Sequence, residues 1–145
     1  MASQAAGRSE VKGIVNVTLV DMDNDRTTLV DFVARGATPD EWKMVLVEQG
    51  PWTGPIDGEL RRLQDRLYGT VDAALDGQLA EKFPESAGKK IVIQLDGYNL
   101  PRTEISEFFD RFSKGVLLTA DYRRALKNNR FVKGITFELN FESIN

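Results

Sequence analysis

The segment VKGITFELNF, near the end of the chain, alternates without a break. Ile135, Phe137, Leu139 and Phe141 are apolar, while Thr136, Glu138, Asn140 and Glu142 are polar. Successive side chains of a strand point to opposite faces, so this pattern specifies a sheet with one buried face. The same tetrapeptide opens VKGIVNVTLV near the start, where Val15, Val17 and Leu19 form the apolar set against Asn16 and Thr18. Superposed on VKGI, the phases disagree, because Ile14 aligns with Ile135 yet points away from Val15, Val17 and Leu19. A one-residue slip exchanges the faces of a strand. Both segments therefore read as strands, and the shared tetrapeptide as coincidence rather than duplication.

Three more strands are predicted at residues 27–35, 41–49 and 90–95. In the second of these, Trp42, Met44 and Leu46 share one face, and Val45 and Val47 the other. The polar run DMDND (21–25) and the loop 36–40 are short, which predicts hairpins and antiparallel pairing. Gly50-Pro51-Trp52-Thr53-Gly54-Pro55 then ends the strand before it. A long helix is predicted over residues 57–79, capped by Asp57, with Leu60, Leu63, Leu67, Val71, Ala74 and Leu75 in one stripe. Its other face carries Glu59, Arg61, Arg62, Asp65 and Arg66. A second helix has Ile105, Phe108, Phe109 and Phe112 as its stripe. Thr103 is its expected N-cap, Glu104 and Glu107 suit its dipole, and Gly115 its C-terminal cap. A short helix is predicted over residues 120–127.

Two apolar stripes need a common surface. The order βββ-α-β-α-(α)-β therefore predicts an α+β fold, with a mainly antiparallel sheet of about five strands and two main helices packed on one face. The 145 residues suit a single domain, residues 10–145, behind a flexible leader, residues 1–9. That leader lacks the apolar stretch of a secretory signal, and no run approaches the roughly 20 apolar residues of a membrane helix. The expectation is a cytoplasmic protein with no membrane partner.

Chemistry is narrowed by two absences. With no cysteine and no histidine, the chain has no thiol nucleophile, no thiolate metal site and no imidazole for proton transfer near neutrality. Neither a metal nor a cofactor is expected. DMDND resembles the opening of a calcium loop, but Arg26 stands where glycine is needed and Phe32 where a closing glutamate is needed, so it reads as a solvated turn. An enzyme would have to rely on carboxylates such as Asp31, Glu48 and Asp96, with no nucleophile or phosphate loop beside them, and catalytic residues are expected to be none.

Residues 114–133 hold Lys114, Arg123, Arg124, Lys127, Arg130 and Lys133 against the single carboxylate Asp121. That local charge of +5 leaves −8 for the rest of a chain of net charge −3. Trp52, Tyr98 and Tyr122, aromatics with polar tips, lie near turns. The candidate partner-binding residues are therefore Arg123, Arg124, Lys127, Arg130 and Trp52. The reading that follows is a non-enzymatic protein-binding domain, of a regulatory or toxin-neutralising immunity type. The alternative is a nucleic-acid-binding protein using residues 114–133, although Tyr122 and Phe131 alone make a poor stacking platform. Terminal strands often occupy sheet edges, and an open edge or uncovered face predicts a homodimer.

LVDFVA, WKMVLVEQGPW, the helix LRRLQDRLYGTVDAAL, DGQLAEKFPESAGKKIVIQL and EISEFFDRF follow one another over residues 29–112. In order and spacing they resemble an uncharacterised bacterial family of small α+β domains, a domain of unknown function. The resemblance implies the fold and a bacterial setting, and it assigns no functional residue.

Overall fold

The computed structural model describes residues 11–21 and 26–142, with side chains described from Val30 onward. Its elements are β1 (Val11–Asp21), β2 (Arg26–Arg35), β3 (Glu41–Gln49), α1 (Ile56–Leu75), α2 (Gln78–Lys82), β4 (Lys89–Tyr98), α3 (Arg102–Gly115), α4 (Ala120–Lys127) and β5 (Val132–Glu142). Single 3-10 turns lie at Pro84–Ser86 and Val116–Leu118. The leader and residues 22–25 of DMDND lie outside the described residues.

The fold is α+β, but the expected antiparallel character is corrected. The strands are ordered β1-β2-β3-β4-β5. β1–β2 and β2–β3 pair antiparallel, while β3–β4 and β4–β5 pair parallel, so the sheet is mixed. The loop 36–40 is short enough to close a hairpin. The connections that carry α1 and α3 are long crossovers, which join parallel strands. Both helices pack into one core on the same face, as crossovers of one hand running the same way along the sheet require.

That face is formed by the rows Trp42, Met44, Leu46 and Ile91, Ile93, Leu95, all buried. Leu63, Leu67 and Val71 of α1 and Ile105, Phe109 and Phe112 of α3 join them in one core. Burying a leucine such as Leu63 contributes about 2 kcal/mol relative to leaving it exposed. Phe137 of β5 meets Phe109 and Phe112 edge-on, with centroids 6.3 and 5.8 Å away. The opposite face is polar where β3, β4 and β5 meet. Lys43 Nζ donates to Gln94 Oε1 (3.0 Å), Gln94 Nε2 donates to Asp96 Oδ1 (2.9 Å), and Asn140 Nδ2 donates to Asp96 Oδ1 (3.3 Å).

The expected caps are also corrected. α1 starts at Ile56 with Pro55 as N-cap, and Asp57 lies within its first turn. α3 starts at Arg102 after Pro101, with Thr103 inside the helix. Proline fixes φ and needs no N–H partner, so it opens a helix without a side-chain cap. Gly115 is the last residue of α3, at φ −102, rather than a left-handed cap, and the chain continues directly into the 3-10 turn. The long helix ends at Leu75 instead of residue 79, because Gly77 adopts φ 93 and starts α2 afresh. A Cβ on Gly77 would sit 2.7 Å from the Phe131 ring, so both the turn and the packing require glycine.

Both VKGI copies open an edge strand, and each coincides with a register shift. One falls between Val11 and Val15 against β2, the other where Lys89 pairs Val132 but Lys90 pairs Gly134. The phase mismatch therefore does not separate the copies, since a bulge inserts the extra residue that changes phase. Among the described residues, no helix is long and apolar enough to cross a membrane.

Candidate partner-binding surface

Parallel pairing places the start of β4 beside the start of β5. Lys89 lies opposite Val132 and Lys90 opposite Gly134, next to Lys133. The loop before β3 brings Asp40 to the same end, where its carbonyl accepts from the Lys90 N–H (2.9 Å) and its carboxylate from Lys133 Nζ (2.9 Å). The Lys133 hydrogen bond holds the Asp40 carboxyl below its ordinary value. Desolvation opposes this, and the charges of Lys133, Lys89 and Lys90 each add to the lowering. Asp40 thus lies in the field of three ammonium groups, and Glu41 lies opposite Lys90 in the register of β3 and β4.

This cluster continues into α4. Tyr122 anchors that helix from its inner side: its ring stacks on Tyr68 at 6.0 Å, and its hydroxyl donates to Asp72 Oδ1 (2.7 Å). Asn129 ties the corner between α4 and β5, donating from Nδ2 to the Leu75 carbonyl and accepting at Oδ1 from the Phe131 and Val132 N–H groups. The outer face of α4 exposes Arg123, Arg124 and Lys127. Arg123 donates to the Leu118 carbonyl (3.1 Å), and Arg124 pairs with Asp121 (3.3 Å), both highly exposed. Arg130, two residues before β5, lies over the Phe131 ring at 5.1 Å.

Arg123, Arg124 and Lys127 thus lie on the exposed side of α4, Arg130 in the turn that leads from it into β5, and Lys133 at the start of β5, level with Lys89 and Lys90 of β4. Lys114 sits apart, paired with Asp110 on α3 (3.1 Å). Lys89 and Lys90 were outside the basic segment read from the sequence. The signal for them was the parallel register, which the hairpin reading hid.

Trp52 belongs to the other end of the molecule, beyond the carboxyl end of β3. Gly50 before it passes so close to the turn after β4 that a Cβ there would overlap the Asn99 carbonyl, and its N–H donates to the Tyr98 carbonyl (2.8 Å). Arg62 lies 5.8 Å over the Trp52 ring, whereas Tyr122 contacts α1 at Asp72. Ten helical residues span about 15 Å, so Trp52 is not part of the basic corner.

The same end holds a tight ion network on the helix side of the sheet. Buried Glu48 accepts from Arg62 Nη2 (2.7 Å) and Nη1 (3.0 Å), and from Arg66 Nη1 (2.9 Å). Arg66 Nη2 also reaches Asp31 Oδ2 (2.8 Å), which accepts from the Val47 N–H as well (2.7 Å). The Glu48 hydrogen bonds raise the Arg62 pKa further above its ordinary value. Asp31 and Glu48 meet here through Arg66, but Asp96 lies on the opposite face with Gln94 and Asn140. The three carboxylates considered for catalysis are therefore not assembled. Tyr98 lies near Asp96 and Glu142; burial and these two charges push its phenol up. Among the described residues, no group of three or more carboxylates is placed to hold a metal ion.

Comparison with family models, with curated proteins and with solved structures gave no match.

Proposed function

We propose that the chain is a non-enzymatic protein-binding domain, of a regulatory or immunity type, that docks an acidic partner on the basic corner. The observation that supports this is the gathering of Lys89, Lys90 and Lys133 at the strand ends beside Asp40 and Glu41, continuous in sequence with Arg130 and α4. Excess positive charge on one exposed corner of a chain of net charge −3 steers an acidic surface and fixes its orientation. The helix that presents it has no fully buried residue and is held by Tyr122 from beneath, so its outer side is free for a partner.

The test is capture by the tagged chain from a host lysate at low and at moderate salt. A stoichiometric acidic protein, released as salt rises, is the expected result. Recovery of nucleic acid instead, with the same steep salt dependence, favours the alternative in which this corner contacts phosphates. Recovery of neither contradicts both.

Self-association is part of the same reading. The two terminal strands occupy opposite edges of the sheet, so neither closes the other. The face opposite the helices is polar around Gln94, Asp96 and Asn140, which favours a homodimer through an edge strand, β1 or β5. Light scattering at micromolar concentration is expected to give twice the chain mass. A monomer mass unchanged on dilution contradicts this.

A further inference from the structure

A cleft of about 500 Å³ opens at the carboxyl ends of β4 and β5, lined by Gly97, Asn99, Leu100, Arg102, Phe141 and Glu142. Its size falls within the range of small-molecule sites, roughly 300–1,000 Å³. In parallel sheets with crossover helices, ligands bind beyond the carboxyl ends of the strands. The cleft lies far from the basic corner, at the end of the molecule that carries Trp52.

Its lining combines three chemical parts. Leu100 is buried and Phe141 half-buried, giving an apolar floor. Arg102 is held 4.7 Å over the Phe141 ring, and among the described residues its guanidinium has no ion pair. Glu142 likewise has no ion pair among the described residues. An arginine and a glutamate therefore face one cleft without pairing with each other. Arg102 also opens α3, whose first-turn N–H groups have no side-chain cap and whose dipole favours an anion at this end. Glu104, two residues on, projects about 200° around the helix from Arg102 and does not compete for the same side.

We infer that this cleft binds a zwitterionic ligand of the amino-acid type with an apolar side chain. Arg102 takes the carboxylate through its planar fork, Glu142 takes the ammonium group, and Leu100 with Phe141 takes the side chain. A ligand with both charges satisfies both groups at once, and a ligand with one charge leaves the other cleft group unmatched.

The experiment is an amide-resolved NMR titration of the full chain with L-leucine, L-leucine amide and N-acetyl-L-leucine. Leucine is expected to give saturable shifts at residues 97–102 and 141–142, with a Kd on the order of 1 mM for so small a ligand. Amidation or acetylation should each weaken binding about tenfold or more, the scale of a charge-assisted hydrogen bond. In Arg102→Gln the amide should bind as well as leucine does, and in Glu142→Gln the acetyl derivative should. Both residues are exposed, so these variants fold. The inference is overturned by no saturable shift at these residues up to about 10 mM, by equal binding of the three compounds, or by variants that discriminate as the parent does.

Discussion

The molecule has two arginine-rich regions that look alike in the sequence and behave oppositely in the structure. On the first half of α1, Arg62 and Arg66 face Glu48, Glu59 and Asp31, and every one of those pairs is made. At the α4 corner, Arg123, Arg124, Lys127 and Arg130 have Asp121 as their ion-paired carboxylate, on an exposed helix. The difference is where the carboxylates are. Glu48 is 5% exposed, and a buried carboxylate is costly without paired cations, so those arginines belong to the fold. The corner's cations neutralise nothing buried, so they are available to something outside the chain. Charge count alone does not separate the two cases; the burial of the partner does.

The comparison can be broken most forcefully at Glu48. Glu48→Ala leaves Arg62 and Arg66 without their buried acceptor and should cost about 3 kcal/mol in denaturant unfolding, near the lower end for breaking a buried pair because Arg62 is half exposed. A loss below about 0.5 kcal/mol would mean the network is not structural. Next in size is Tyr122→Phe, which removes the hydroxyl donated to Asp72 and should cost about 1 kcal/mol. It should also raise amide exchange in α4 more than elsewhere, since that hydroxyl ties the helix to α1. Equal protection in the parent and the variant would show that α4 is held by other contacts.

Smaller still is the effect on stability of Arg123→Glu with Arg124→Glu, expected within about 0.5 kcal/mol of the parent, as for surface positions outside the fold's machinery. A larger loss would move these arginines into the first class. The smallest effect concerns Asp40. Its carboxyl is held below the ordinary value of 3.8, chiefly by Lys133, so this contact stabilises the fold above that value. The contribution is lost as pH falls through the lowered pKa. Lys133→Gln should raise the Asp40 pKa toward 3.8 when followed by carboxyl NMR; an unchanged pKa would show that Lys89 and Lys90 carry the effect.

Much of this layout was legible in the sequence. The alternation around Phe137 and Leu139 specified a strand with one core face, and the stripes Leu63–Leu67–Val71 and Ile105–Phe109–Phe112 specified two helices on a common surface, because period and burial are local properties. Strand direction is not local. Short loops predict hairpins correctly for β1–β2–β3, but the same logic does not extend across α1 and α3, where the length of the crossover makes the pairing parallel. The basic corner inherited that omission, since Lys89 and Lys90 join Lys133 only in the parallel register. The Arg62–Glu48 pair was hidden for a similar reason: helical spacing placed Arg62 and Arg66 on the face away from the apolar stripe, and only the end of β3 supplies the buried acid.

The central claim is that the α4 corner, rather than the region around Trp52, meets the partner. Its most direct test is a side-by-side capture with the parent chain, with Arg123, Arg124, Lys127 and Arg130 all changed to glutamate, and with Trp52→Ala. The account predicts one stoichiometric acidic protein on the parent and on Trp52→Ala, and its loss from the fourfold variant while that variant remains folded by circular dichroism. Equal capture by the parent and the fourfold variant, or loss from Trp52→Ala alone, would contradict it.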